Sequence, residues 1–65
     1  MKIQQVVKAS RVRQGDLVAD DIGWRAVIEA DTDPWDREYV QLTFSPDLLV
    51  IVPANMRVIV VREVS

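Results

Sequence analysis

The chain has 65 residues, enough for one small domain, and with 49% hydrophobic and 28% charged residues it has the composition of a folded globular protein. It contains no cysteine and no histidine, which excludes a disulfide framework, thiolate metal ligands and the commonest general base. Eight Lys and Arg residues against ten Asp and Glu residues give a net charge of −2, opposite in sign to the basic excess of most nucleic-acid-binding proteins.

The apolar residues follow the two-residue period of β-strands and show no sustained helical period. In the N-terminal half this pattern predicts strands over residues 3–8, 17–20 and 24–30. Gly15 lies in the first turn, where a residue without a Cβ adopts positive φ at little cost. Val27 breaks the alternation of the third strand, which is typical of a β-bulge.

The C-terminal half begins with a loop over residues 31–37, in which proline removes a backbone hydrogen-bond donor. Three further strands are predicted, over residues 39–44, 48–52 and 57–63. Residues 53–56 are predicted to form a single helical or 3₁₀ turn just before the last strand, an arrangement typical of SH3-like barrels.

The predicted fold is therefore all-β: a small SH3-like barrel of five or six short antiparallel strands, with one 3₁₀ turn before the last strand. It forms a single domain over residues 1–65. Inward-facing positions of the strands predict the following core: Val6, Val12, Val18, Ala26, Ile28, Val40, Leu42, Phe44, Val50, Val58 and Val60.

Three groups of turn and core residues follow one another along the chain: the segment from Val12 to Val18, Gly23-Trp24 with Val27, and Val52-Pro53-Ala54 before Val58 and Val60. In this order the chain resembles small SH3-like proteins of actinobacterial phages and their hosts, over residues 6–62. The resemblance implies a fold and a phage origin, and it brings no catalytic or binding residues with it.

No residue pattern indicates catalysis, a cofactor or a metal. Asp31, Asp33 and Asp36 suggest a calcium loop, but counting from Asp31 the fifth and twelfth ligand positions hold Trp35 and Leu42. The serines have no histidine to activate them, and a barrel of this size fills its interior with its own side chains. We therefore expect no enzymatic activity, no cofactor and no metal ion.

Trp35 is the strongest candidate for partner binding, because it lies in an acidic loop where no strand pattern requires its burial. With Asp33, Asp36 and Tyr39 it resembles the aromatic and acidic surfaces that bind basic, proline-rich peptides or methylated side chains. The alternative is that Trp35 folds back over one end of the barrel as a structural lid.

The two C-terminal strands are apolar on both faces, so one set of side chains must point outward. The outward set is predicted to be Leu49, Ile51, Ile59 and Val61, and to form one self-association patch. The sequence therefore predicts a homodimer with Ile51 and Ile59 near its centre.

The predicted function is a non-enzymatic protein–protein interaction module that self-associates or docks on a host or virion protein. The alternative is a nucleic-acid-binding, Sm-like barrel that uses the basic residues Lys8, Arg11 and Arg13. Neither a signal-peptide core nor an apolar run of membrane-spanning length is present, which predicts a cytoplasmic location, in the host cytoplasm for a phage protein.

Overall fold

Seven antiparallel strands and one 3₁₀ turn form the fold in the computed structural model, which describes residues 1–64. The strands are β1 (Lys2–Lys8), β2 (Leu17–Ala19), β3 (Trp24–Ala26), β4 (Glu29–Thr32), β5 (Tyr39–Ser45), β6 (Leu48–Pro53) and β7 (Arg57–Glu63). The prediction of an all-β fold is confirmed. β-branched residues are frequent in β1, β6 and β7, where they suit a pleated, half-buried surface.

The strands form two sheets that face each other across the core. Sheet A has the strand order β1-β7-β2-β3, and sheet B has the order β4-β5-β6. A closed barrel requires a continuous ladder around the core, and no ladder joins β6 to sheet A within the described residues. The two sheets are therefore open and do not close into a barrel.

The predicted third strand is divided at Val27 into β3 and β4, which raises the strand number to seven. Val27 donates its N–H to the carbonyl of Asp16 and accepts the N–H of Gly15, both at 2.8 Å. The next residue, Ile28, already bonds to Thr43 of sheet B at 2.9 Å. The chain thus passes from one sheet to the other at the residue whose side chain interrupts the alternation.

Seven residues form the buried core: Ala9, Val12, Val18, Val27, Val40, Leu42 and Val60. The predicted core positions Val6, Ala26 and Ile28 are wrong, because all three side chains are exposed. In β1 it is Val7 that packs on the core. The bend buries Val27 and turns its two neighbours outward. The other eight predicted core residues are buried or half-buried.

The 3₁₀ turn lies at Ala9–Arg11, between β1 and β2, and not before the last strand as predicted. The segment before β7 is a simple turn, in which the N–H of Met56 donates to the carbonyl of Pro53 at 3.1 Å. The two turns are joined, since Ala9 donates to the carbonyl of Met56 at 2.7 Å. This contact places the Ala9 methyl group in the core between the sheets.

Candidate interaction site

The two open sheets have four strand edges: β1 and β3 in sheet A, and β4 and β6 in sheet B. Three of these edges carry charged residues, namely Lys2 and Lys8 on β1, Arg25 on β3, and Glu29 and Asp31 on β4. The six residues of β6 are all apolar. Because charged side chains keep edge strands from pairing with other chains, β6 is the least protected edge of the molecule.

The backbone groups of Leu49 and Ile51 point away from β5, toward the open side of sheet B. Ala54 donates its N–H to the carbonyl of Glu38 at 2.7 Å, and β6 continues in the register of that pair. Hydrogen-bonded pairs alternate along an antiparallel ladder, so the even-numbered residues of β6 bond to β5. Leu49 and Ile51 are left with N–H and C=O groups that have no backbone partner within residues 1–64.

An apolar groove of about 340 Å³ lies between the sheets beside β6. Leu48, Val50 and Val52 line one wall, and Val18 and Val58 of sheet A line the other. All three side chains of β6 are only half-buried, although they face the interior. The space between the sheets is therefore incompletely filled along the same strand whose outer edge is unpaired.

Arg25 and Asp20 form an ion pair that lines the polar end of the groove. Asp20 also accepts the N–H of Ile22 at 2.8 Å and the N–H of Gly23 at 2.9 Å. These hydrogen bonds lower the pKa of Asp20; the bond from the N–H of Ile22 has the largest effect and the bond from Arg25 the next largest. Because the two charges of the groove already pair with each other, the surface that best complements the groove is apolar.

The four predicted self-association residues lie on two different sheets, which corrects the expectation of one patch. Leu49 and Ile51 are 50% and 53% exposed on the outer face of sheet B. Ile59 lies on β7 in sheet A, directly opposite Val6 of β1, and Val61 is half-buried on the same strand. The alternation within each strand is as predicted, but β6 and β7 do not pair with each other.

The side chain of Trp35 is 92% exposed, so it does not cover the core as a lid. Asp33 is buried and accepts the N–H of Trp35 at 2.8 Å, whereas Asp36 accepts the N–H of Glu38 at 2.9 Å. Both carboxylates therefore shape the loop, and Asp33 is not available to a partner. Tyr39, at 40% exposure, is the other aromatic residue of this predicted site.

The predicted basic residues Lys8, Arg11 and Arg13 are all exposed, and the structure adds a fourth cation to them. Lys8 lies directly opposite Arg57 in the ladder between β1 and β7. Neither side chain forms an ion pair within the described part of the chain. Like charges in directly opposed positions destabilise a sheet. Lys8 and Arg57 therefore form a pair of cations that no acidic side chain of the described residues neutralises.

The sequence reasoning missed a buried ion pair between Asp16 and Arg62. The guanidinium of Arg62 donates two hydrogen bonds to the carboxylate, at 2.9 and 2.7 Å, and a third to the carbonyl of Arg11 at 2.9 Å. Burial by itself raises the pKa of Asp16, but the bond from Arg62, the N–H of Arg13 and both positive charges lower it overall. The same bond raises the pKa of Arg62. The partners are 46 positions apart in the sequence, and no local sequence signal links them.

Glu29 and Asp31 form an acidic pair on the outer face of β4. The hydrogen bond to Asp31, and then its negative charge, raise the pKa of Glu29. Among the described residues, no group of three or more acidic side chains is arranged to hold a metal ion. No helix in residues 1–64 is long and apolar enough to cross a membrane.

Comparisons with known proteins identified no matching family model, no matching curated protein and no matching solved structure.

Proposed function

We propose that this chain is a non-enzymatic protein–protein interaction module that associates with a second copy of itself by strand addition at β6. The observation that carries the proposal is the free edge at Leu49 and Ile51, where unpaired backbone groups occur in a strand without any charge. Strand addition supplies hydrogen bonds through such an edge, and apolar pockets beside it accept side chains. The groove beside β6 meets the second requirement.

The expected free energy of association determines the protein concentrations at which the dimer can be measured. Burying an aliphatic side chain contributes roughly 1.5–3 kcal/mol, so four half-exposed side chains from two copies contribute roughly 3–6 kcal/mol. Each added backbone hydrogen bond contributes about 0.5–1.5 kcal/mol, while association costs about 4–15 kcal/mol. Because gain and cost are similar, we expect the dimer to form only as the concentration rises.

Sedimentation equilibrium from about 10 μM to about 1 mM tests the proposal, since this range spans weak association. The wild type is expected to shift from monomer to dimer, and Ile51→Lys is expected to remain a folded monomer. Ile22→Lys is the matched control, because Ile22 is 85% exposed in the turn between β2 and β3. A wild type that stays monomeric throughout, or a control that dissociates equally, contradicts the proposal.

A second candidate function, nucleic-acid binding, is favoured by the unneutralised pair of Lys8 and Arg57. A polyanion would relieve their repulsion, and Arg11 and Arg13 would add further phosphate contacts. Electrophoretic mobility shifts at low and moderate salt test this candidate, because phosphate contacts weaken steeply with salt. Loss of the shift in Lys8→Ala, with Lys2→Ala unchanged, would favour it over self-association.

Docking on a different protein is the other form of an interaction module, and the exposed Trp35 supports it. Exposed tryptophan is among the residues that contribute most to protein interfaces. The resemblance to phage proteins would make a host or virion protein, met in the host cytoplasm, the expected partner. Binding lost in Trp35→Ala but retained in Ile51→Lys would assign partner docking to the loop and not to β6.

A further inference from the structure

We infer that two copies pair their β6 strands antiparallel about a two-fold axis through Val50, which extends sheet B into one six-stranded sheet across the dimer. This inference rests on the proposed function and specifies its geometry. A two-fold axis requires a self-complementary edge, and antiparallel pairing places Leu49 of each copy opposite Ile51 of the other. Those are the two residues of β6 whose backbone groups are free.

The hydrogen-bonding groups select this register over its neighbours. With Val50 on the axis, Leu49 and Ile51 exchange N–H···O=C bonds in both directions, which makes four bonds in all. A register centred on Ile51 would place Leu49 opposite Pro53, which has no N–H and whose carbonyl already accepts Met56. A register centred on Leu49 would bring the charged Asp47 into the ladder.

The side chains agree with the same register. Residues opposite each other in an antiparallel pair share a face, so Leu49 packs against Ile51 of the second copy on the outer face. On the inner face Val50 meets its own equivalent, and Leu48 meets Val52, over the mouth of the groove. The second copy thus covers the apolar space that sheet A leaves open beside β6.

The electrostatics and the size of the contact both suit a second copy. The acidic residues of sheet B lie on β4, at the opposite edge from β6, so two copies meet through uncharged strands. A six-residue strand is about 20 Å long, and a contact of that length lies at the small end of specific interfaces. Such a contact fits a dimer that forms and dissociates with concentration.

Single cysteines test the register, because the chain contains no cysteine of its own. On the two-fold axis the Cα atoms of Val50 and its equivalent lie about 4.5 Å apart, within the range of a disulfide. The Ile51 positions of the two copies are offset by two residues and lie about 8 Å apart, beyond that range. Val50→Cys is therefore expected to form a covalent dimer under mild oxidation roughly tenfold or more faster than Ile51→Cys.

A mixed sample supplies the complementary measurement. Leu49→Cys and Ile51→Cys, each poorly cross-linked alone, are expected to form a mixed disulfide dimer when combined, because their Cα atoms lie about 5.5 Å apart. Sedimentation of the reduced variants shows whether each still associates. If they associate but Ile51→Cys cross-links faster than Val50→Cys, or the mixed pair does not cross-link, the register is overturned and the proposed function stands. If the wild type does not associate, both are overturned.

Discussion

The two edges of sheet B have opposite chemistry, although they flank the same central strand. Asp31 on β4 and Ile51 on β6 lie in one cross-strand row, joined through Gln41 of β5. Both side chains are exposed on the outer face. Burial in the monomer therefore does not require an apolar side chain at either position, and position 31 carries an acidic one. Burial in the monomer does not account for the isoleucine at the other edge, which is the basis of the contact proposed at β6.

The β4 edge also lies beside the segment that contains the 3₁₀ turn. Ala30 and Thr32 line a small cavity of about 80 Å³ together with Ser10 and Val12, from the segment that contains the 3₁₀ turn. Covering an edge with a loop and placing charge on it are two ways of preventing strand addition. Of these two devices the β4 edge carries charge, and the β6 edge carries none.

The largest expected effect comes from copying the acidic pair of β4 onto β6. In the double variant Leu49→Glu with Ile51→Asp, four carboxylates would meet at the interface, and we expect association to weaken by about 100-fold or more, or about 2.7 kcal/mol. Asp31→Ile is the control and should leave the dissociation constant nearly unchanged, since β4 lies at the edge of sheet B opposite β6. Sedimentation equilibrium measures both. Association created by Asp31→Ile would break the comparison between the edges.

A smaller effect, on stability alone, is expected from the buried pair on sheet A. Asp16→Asn removes the charge that Arg62 contacts and should lower the free energy of unfolding by about 2 kcal/mol, whereas the exposed Asp47→Asn should change it by less than about 0.5 kcal/mol. Urea denaturation at low protein concentration measures both. A change in the dimer dissociation constant of folded Asp16→Asn would contradict the separation of stability from association.

The pH dependence of this difference has a defined sign. Because the folded-state pKa of Asp16 is lowered, its stabilising contribution is complete above the ordinary value of about 4 and is lost as the pH falls through the folded value. The stabilities of the wild type and Asp16→Asn should therefore converge in acid. A difference that stays constant down to low pH would show that packing, and not charge, carries the effect.

The acidic pair on β4 predicts a smaller change of opposite sign. The raised pKa of Glu29 means that its contribution to stability is present in acid and is lost as the pH rises through the folded value. Asp31→Asn should therefore raise the thermal midpoint slightly at neutral pH and not in acid. Thermal denaturation at both pH values measures this, with Asp36→Asn as the loop control. A lowered midpoint at neutral pH would show that repulsion is not the controlling interaction.

The smallest expected effect is that of Trp35→Ala on stability. A side chain that is 92% exposed loses almost no burial when truncated, so the free energy of unfolding should change by less than about 0.5 kcal/mol. Chemical denaturation measures the change. A loss of more than about 2 kcal/mol would restore the structural role that the exposed position argues against.

The sequence by itself determined the class of fold and much of the inward and outward assignment of the later strands. In β5 and β6 the two-residue alternation correctly placed Val40, Leu42 and Val50 toward the core and Leu49 and Ile51 outward. This succeeded because the side-chain period of a strand is a local property of its backbone. The same alternation failed around Val27, where the chain changes sheets and the period is interrupted.

Only the tertiary structure decided which strands pair, and with that which surfaces exist. The predicted patch that joined Ile51 to Ile59 required β6 to lie beside β7. Instead, the chain crosses from sheet B to sheet A in the turn between these two strands. The ion pair of Asp16 and Arg62, and the free edge of β6 with the groove beside it, arise from long-range contacts. Strand order and distant ion pairs depend on the packing of the whole chain, which the local pattern of residues does not contain.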